Sequence, residues 1–278
     1  MSKNKLFLKE ALKIESKEKP YAVATVISVK GSSSGRVGDK ALFDEKGYRL
    51  IGYVGGGCIE NRASDTAIET LTNGIPKIIE IDLDSDSIGM GIPCGGIMSI
   101  LVEPQMIDSV ILIRGDGSIV ESLSKIAKLL NFKIIIHTSK SHIHTNKSNE
   151  ELFPNVDKLI TEELEVDKID ENIDYFILAT HHSDDDKIAL AAIKKGIKYV
   201  GVIASQKKAN LIKKYLLDNG LSDSELKNLY TPIGLDLNAT TPEEIALSIL
   251  SEIVMLENGA TGKQMKSLNI VFVLSKPR

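Results

Sequence analysis

The stretch SVILIRGDGSIVESL, residues 109–123, indicates the fold of the second part of the chain. A short apolar run leads into a glycine turn, and an amphipathic segment then predicts a helix over Ile119–Leu130. The apolar runs FKIIIHT, DYFILAT and KYVGVI follow, alternating with predicted helices over residues 184–196 and 207–220. Strands buried on both faces and joined by helices are typical of a doubly wound parallel sheet with right-handed crossovers. We therefore expect a Rossmann-like domain here.

The first part of the chain has a different pattern. Amphipathic helices are predicted over Leu6–Lys17 and from Cys58 onward, whereas YAVATVISV, ALFDEKGYRLIGYV, KIIEIDL and IMSILVEP predict strands. The second of these runs reads as a hairpin that turns at Glu45–Gly47. The expected fold is α/β, with an N-terminal α+β domain over residues 1–105 that has a mostly antiparallel or mixed sheet. The Rossmann-like domain then occupies residues 106–278.

Composition excludes several classes of function. The 278 residues carry a formal net charge of −4, so nothing indicates nucleic-acid binding. No apolar run approaches the roughly 18 residues that a bilayer span requires, and the N-terminal segment is charged throughout, which predicts a cytoplasmic protein without a membrane span. The two cysteines form no CxxC pair, so two reduced thiols are expected rather than a disulfide framework or a zinc ribbon.

One of these cysteines follows three consecutive glycines. In GYVGGGCIE, Gly55–Gly57 stand directly before Cys58 at the predicted helix start. Glycines let backbone amides converge on an anion at a helix N-terminus, where the macrodipole favours negative charge. The same field favours a thiolate, so Cys58 is a candidate nucleophile or soft-metal ligand. The alternative is a tight strand-to-helix turn followed by a small core side chain.

Two other glycine-rich segments lie in the same predicted domain. Cys94 is surrounded by glycines and a proline in GMGIPCGGIM, residues 89–98, just before a predicted strand. The segment VKGSSSGRVGDKALF, residues 29–43, offers the hydroxyls of Ser32–Ser34 and the guanidinium of Arg36. These groups suit a phosphate or the ring edge of a pterin, although a flexible loop is the alternative for this segment.

The dinucleotide pattern of the second domain is incomplete. Gly115 and Gly117 occupy the first two positions of GxGxxG, but the third is Val120. His137 and Thr138 stand where a ribose-binding acid is usual. NAD(P) binding is therefore only weakly supported, and the alternative is a Rossmann scaffold used for another purpose.

Histidines occur only in this second domain. His142 and His144 lie in a polar insert over residues 139–151 that predicts a surface loop and solvated side chains. His181 and His182 belong to THHSDDDK, which follows a strand at the edge where such sheets bind ligands. The alternative for THHSDDDK is helix capping by Ser183 and Asp184–Asp186.

Two segments near the C-terminus complete the pattern. A helix is predicted over Pro242–Leu256, with Thr241 as its N-cap and Glu244 three residues later, which is the capping-box spacing. The run NIVFVL near the end of the chain predicts an extra strand.

The runs GSSSGRVGDKALF, GYVGGGCIE, GIPCGGIMSILVEP, YFILATHHSDDDKIALAAI and TPIGLDLNATTPEEIALSI resemble, in order, the xanthine dehydrogenase accessory protein family of the XdhC/CoxI type. The resemblance covers nearly the whole chain. It implies a chaperone, rather than an enzyme, that binds a molybdopterin-based molybdenum cofactor as cargo. Such a protein protects the cofactor while a cysteine desulfurase supplies its sulfido ligand, and then passes it to a molybdenum hydroxylase apoenzyme. A homodimer is expected.

The resemblance also implies a set of cofactor-binding residues, with Cys58 and Cys94 as molybdenum ligands or sulfur carriers. The set is Ser32, Ser33, Arg36, Gly55, Gly56, Gly57, Cys58, Glu60, Cys94, Gly95 and Gly96. Two other functions remain open at this point. One is an NAD(P)-dependent oxidoreductase with THHSDDD near its active centre, and the other is a sulfurtransferase in which Cys58 carries a persulfide.

Overall fold

The computed structural model describes residues 3–15, 19–82, 96–138, 151, 153–154, 156–180 and 184–267. They form two compact units, one reaching to Ile107 and the other beginning at Asp108. The elements of the first unit are α1 (Lys3–Glu15), β1 (Tyr21–Gly31), β2 (Lys40–Phe43), β3 (Arg49–Gly52), α2 (Cys58–Asn73), β4 (Lys77–Asp82) and β5 (Gly96–Gln105).

The first unit is built on one antiparallel sheet with the strand order β3-β2-β1-β5-β4. The longest ladder pairs β1 with β5, from Tyr21 opposite Gln105 to Gly31 opposite Gly96. Helix α2 packs against these strands, and buried apolar side chains from the helix and the sheet form one core. The predicted hairpin is confirmed, with the turn closed by a hydrogen bond from the Gly47 amide to the Asp44 carbonyl.

The second unit alternates strands and helices from β6 onward. Its elements are β6 (Val110–Gly115), α3 (Gly117–Leu129), β7 (Lys133–His137), β8 (Lys158–Ile160), β9 (Tyr175–Ala179), α4 (Asp185–Lys194), β10 (Val200–Val202), α5 (Gln206–Asp218), α6 (Asp223–Leu226), β11 (Leu229–Tyr230) and α7 (Pro242–Glu257). Single 3-10 turns occur at Val166–Lys168 and Met265–Ser267.

The six strands of the second unit form a parallel sheet with the order β8-β7-β6-β9-β10-β11. Counted within the unit, this is the order 3-2-1-4-5-6 of the doubly wound fold, which confirms the predicted class. A separate apolar core covers each face of the sheet. The strand order reverses between β6 and β9, and in such sheets the crevice beyond the carboxyl ends of those two strands is the usual ligand site.

Some of the helices, strands and caps predicted from short sequence patterns in the second unit are confirmed, and others were missed or lie outside the described residues. The capping box of α7 is confirmed, because the Thr241 hydroxyl accepts from the Glu244 amide and the Glu244 carboxylate accepts from the Thr241 amide. Strands β8 and β11 and helix α6 were not predicted, since two to four residues are too short for a periodic pattern to emerge. The predicted loop over residues 139–151, apart from Glu151, and the predicted strand NIVFVL lie outside the described residues.

Among the helices that the structure describes, none is both long enough and apolar enough to cross a bilayer.

Candidate functional site

The first unit brings parts of its three glycine-rich segments together. The Gly56 amide donates to the Ser34 hydroxyl at 3.3 Å. This bond joins the loop after β1 (residues 32–36, here called the serine loop) to the turn before α2 (Gly55–Gly57, the glycine turn). A Cβ atom placed on Gly35 would lie 2.2 Å from the Val54 carbonyl oxygen, and one on Gly96 would lie 2.8 Å from the Ser32 carbonyl oxygen. These separations leave no room for a side chain at either glycine. Backbone contact therefore holds the serine loop between the turn and the start of β5.

The glycine turn has two residues with positive φ. Gly55 has φ 146°, and a Cβ there would meet the Ile59 side chain at 2.6 Å. Gly57 has φ 55° and is the N-cap of α2, where no side chain caps the helix. At Gly56 the nearest atom to an added Cβ would be the Tyr53 hydroxyl oxygen, at 3.5 Å. The first amides of α2 lack carbonyl partners within the helix, as in any α-helix, so the turn presents donors to an anion.

Cys58 is the first residue of α2 and combines features of both interpretations. Its thiol is free and its side chain is half-buried. The side chain packs on the core of the first unit but also reaches the surface. Cys94 and Gly95 lie outside the described residues. The structure therefore places Cys58 at the helix start that the sequence predicts, while Gly96 is the described member of the second cysteine segment.

The polar residues near the turn have distinct roles. The Ser33 hydroxyl accepts from the Gly35 amide at 3.2 Å and so shapes the loop, while Ser32 and Arg36 have exposed side chains. Glu60, in the first turn of α2, forms an ion pair with Arg49 of β3, with 2.7 Å between carboxylate oxygen and guanidinium nitrogen. Sequence reasoning missed Arg49, because it belongs to the hairpin and no motif includes it.

A second polar cluster lies at the carboxyl edge of the parallel sheet. Arg114, the last-but-one residue of β6, lies opposite His137 of β7, and its Nη2 lies 3.0 Å from the Asp184 Oδ2 atom. The His137 Nε2 atom is 2.8 Å from the Glu162 carbonyl oxygen. Burial lowers the pKa of His137, the Glu162 carbonyl opposes that shift, and the nearby Arg114 charge lowers the pKa further.

The acidic run at the start of α4 places two carboxylates against cationic side chains, while Asp185 and Asp186 also lie in the first turn of the helix. Asp184 is the N-cap but makes no capping bond, and its carboxylate pairs with Arg114. Asp185 is 1% exposed, accepts from the Thr180 hydroxyl and lies 2.7 Å from the Lys208 ammonium. No sequence motif indicates this pair, since Lys208 is in another helix. His142, His144 and 181–183 lie outside the described residues.

Within the described parts of the chain, no group of three or more His, Cys, Asp or Glu side chains is arranged to hold a metal ion.

The chain matches two models of one family. Residues 111–253, more than half of the chain, match the XdhC Rossmann domain, and residues 15–82 match the XdhC and CoxI family. The chain is also 28% identical over 260 residues to the uncharacterized protein YqeB of Escherichia coli (strain K12). That alignment covers 92% of the chain and 47% of YqeB, so the chain spans about half the length of this relative.

Two further proteins are similar over most of their length. A probable xanthine dehydrogenase subunit from Bacillus subtilis (strain 168) is 24% identical over 317 residues, which cover 84% of the chain and 92% of that protein. A crystal structure of a xanthine dehydrogenase from Bacillus halodurans has a TM-score of 0.48 and 20% identity, covering 94% of the chain and 97% of that structure. On the family models, the chain belongs to the XdhC and CoxI family.

Proposed function

We propose that this protein is an accessory factor that binds a molybdopterin-based molybdenum cofactor and assists its sulfuration and insertion into a hydroxylase of the xanthine dehydrogenase type. The observation that carries the proposal is the backbone packing of the serine loop against the glycine turn and the start of β5. Membership of the XdhC and CoxI family supports it, as does the name of the Bacillus subtilis relative.

The cofactor phosphate would bind at the start of α2. The amides of Gly57 and Cys58 lie at the positive end of a 16-residue helix whose N-cap has no side chain to compete with a ligand. The exposed hydroxyl of Ser32 and guanidinium of Arg36 belong to the loop that packs on this turn. Together they supply neutral and cationic donors to a phosphate, and charge-assisted bonds of this kind are the stronger ones. We assign phosphate and pterin recognition to this group.

Cys58 would contact the molybdenum or carry sulfur to it. A thiolate is a soft ligand, and the half-buried Cys58 thiol on the first turn of α2 is accessible from the surface. Cys94 is assigned the companion role on its sequence position alone. The ion pair of Glu60 with Arg49 would stiffen the first turn of α2 beside the thiol. A cysteine desulfurase would supply the sulfur, and a molybdenum hydroxylase apoenzyme would receive the finished cofactor.

The test is binding of released molybdenum cofactor to the full chain, followed by co-elution of molybdenum and pterin fluorescence. We expect Arg36→Ala to weaken binding by about tenfold, since it removes a charge-assisted hydrogen bond. Lys46→Ala is the matched control, because it removes an exposed positive charge from the β2–β3 turn of the same unit. Cys58→Ala and Cys94→Ala then assign the thiols.

Two results would count against the proposal. The first is wild-type protein that retains neither molybdenum nor pterin, which would show that it does not bind the cofactor. The second is a deletion strain whose hydroxylase is fully sulfurated, which would show that sulfuration does not require this protein. Mass spectrometry after incubation with a desulfurase and cysteine separates the two roles of Cys58. A sulfur atom added to Cys58 indicates a carrier, and cofactor binding without added sulfur indicates a ligand.

A further inference from the structure

The turn between β6 and α3 leaves open space above a helix start in the second unit. Gly115 has φ 147°, and a Cβ there would lie 2.3 Å from the Ala179 carbonyl oxygen, so the ends of β6 and β9 touch through their backbones. Gly117 has φ 78°, and among the described residues nothing beyond its chain neighbours and the backbone of its own helix lies within 4 Å of the position its Cβ would occupy. Helix α3 has 13 residues and no side-chain cap. The first turn of α3 is therefore accessible to a phosphate.

His137, at the end of β7, supplies an independent sign of a ligand. The side chain is 6% exposed, and its Nδ1 atom has no hydrogen-bond partner in the described structure. The Glu162 carbonyl can only accept, so Nε2 carries the hydrogen and Nδ1 is an acceptor in the neutral ring. A buried acceptor without a donor is costly, and a ligand hydroxyl would relieve that cost. The end of this strand is also where dinucleotide-binding sheets hold a ribose hydroxyl.

Two neighbouring side-chain atoms are likewise buried without a hydrogen-bond partner in the described structure. Arg114 Nη1 and Asp184 Oδ1 are buried and have no partner among the described residues, although the other ends of these side chains form an ion pair. Arg114 lies opposite His137 in the β6–β7 ladder. The cluster thus contains one unused donor and two unused acceptors. A pair of hydroxyls matches it, because each hydroxyl both donates and accepts, whereas a simple anion matches only the arginine.

We propose that the second unit binds a phosphorylated ribonucleoside at the carboxyl edge of its sheet. The phosphates lie over Gly117 at the start of α3, and the ribose hydroxyls bond to His137 Nδ1 and to the Arg114–Asp184 pair. This site uses no residue of the molybdenum cofactor site proposed for the first unit, so the two proposals fail or succeed separately.

The experiment is calorimetric titration of the full chain with ADP and CDP, with the dideoxy counterpart of each, which lacks both ribose hydroxyls, and with inorganic pyrophosphate. We expect at least one of the two ribonucleotides to bind, and to bind about fivefold or more tightly than its dideoxy counterpart, which has lost the hydrogen bonds of both hydroxyls. Inorganic pyrophosphate is expected to bind more weakly than either ADP or CDP. His137→Phe removes one of the two acceptors and should reduce the preference for the ribose hydroxyls.

A second variant keeps the test informative if His137→Phe does not fold. Gly117→Asn places a side chain in the open space above α3, and asparagine tolerates positive φ. Gly220→Asn is the matched control, because Gly220 follows α5, also has positive φ, at 90°, and has nothing but its chain neighbours within 4 Å of an added Cβ among the residues that the structure describes. We expect Gly117→Asn to abolish nucleotide binding and Gly220→Asn to preserve it.

Three results would overturn the proposal. The first is the absence of binding by both ADP and CDP at millimolar concentration. The second is equal affinity for pyrophosphate and nucleotide, which would show a site for a simple anion. The third is equal loss of binding in Gly117→Asn and Gly220→Asn.

Discussion

Gly35 is the residue where the packing of the proposed cofactor site is most easily disturbed. It lies in the serine loop, and a Cβ added there would lie 2.2 Å from the Val54 carbonyl oxygen and 2.9 Å from the Met98 methyl carbon. Gly35→Ala therefore forces the loop away from the turn that leads to α2. The Met98 methyl group can rotate away, but Val54 is fully buried and its backbone continues into the glycine turn.

The expected cost follows from that geometry. A contact at 2.2 Å is roughly 1 Å or more inside ordinary van der Waals distance, so the backbone at Val54 must shift. Forcing extra volume into a packed site costs about 1–3 kcal/mol. For a unit of this size, 2 kcal/mol corresponds to a fall of about 10 °C in its melting temperature. We also expect weaker cofactor binding, since the donors of the loop move relative to the helix start.

Thermal unfolding followed by circular dichroism, together with hydrogen exchange of β1 and β5, measures the effect in the first unit. Gly56→Ala is the matched control for stability. Of the described residues outside its chain neighbours, its Cβ would meet the Tyr53 hydroxyl oxygen alone, at 3.5 Å, which is ordinary contact, so a change within about 0.5 kcal/mol is expected. Equal melting temperatures for Gly35→Ala and wild type would refute the reasoning, as would a larger loss in Gly56→Ala.

Three predictions concern the second unit. Lys208→Met leaves the buried Asp185 carboxylate without its ammonium partner and should lower the free energy of unfolding in urea by about 3–5 kcal/mol. The double variant Asp185→Asn with Lys208→Met should lose less, and equal losses in the two variants would contradict this prediction. Because folding lowers the pKa of His137, this histidine binds more protons in the unfolded chain than in the folded chain as the pH falls through 6.5. The free energy of unfolding should therefore fall with acidification, by at most about 1.4 kcal/mol per pH unit, and a pH-independent value would contradict the assignment. Thr241→Ala removes the N-cap of α7 and should cost about 1 kcal/mol, whereas unchanged stability would show that the capping bond contributes little.

The predictions that the structure confirms rest on local patterns. Continuous apolar runs identified the parallel strands, two apolar segments around the turn at Glu45–Gly47 identified the hairpin, and Thr241 with Glu244 identified a helix start. Each of these signals lies within a few residues of the chain. For THHSDDDK the sequence left two interpretations open, a ligand site and helix capping, because the side chains that contact its acidic residues are far away in the chain. Its acidic residues are typical helix-start residues, and only the fold places Arg114 and Lys208 beside them.

The sequence by itself determined the class of each sheet and named the residues from which a cofactor site is proposed. These follow from hydrophobic periodicity and from glycine, serine and cysteine motifs, which short segments encode. Only the tertiary structure decided which segments meet: the serine loop with the glycine turn, Arg49 with Glu60, and Arg114 with His137. The physical reason is that strand order and long-range packing, rather than neighbouring residues, set the distance between groups that are far apart in the chain.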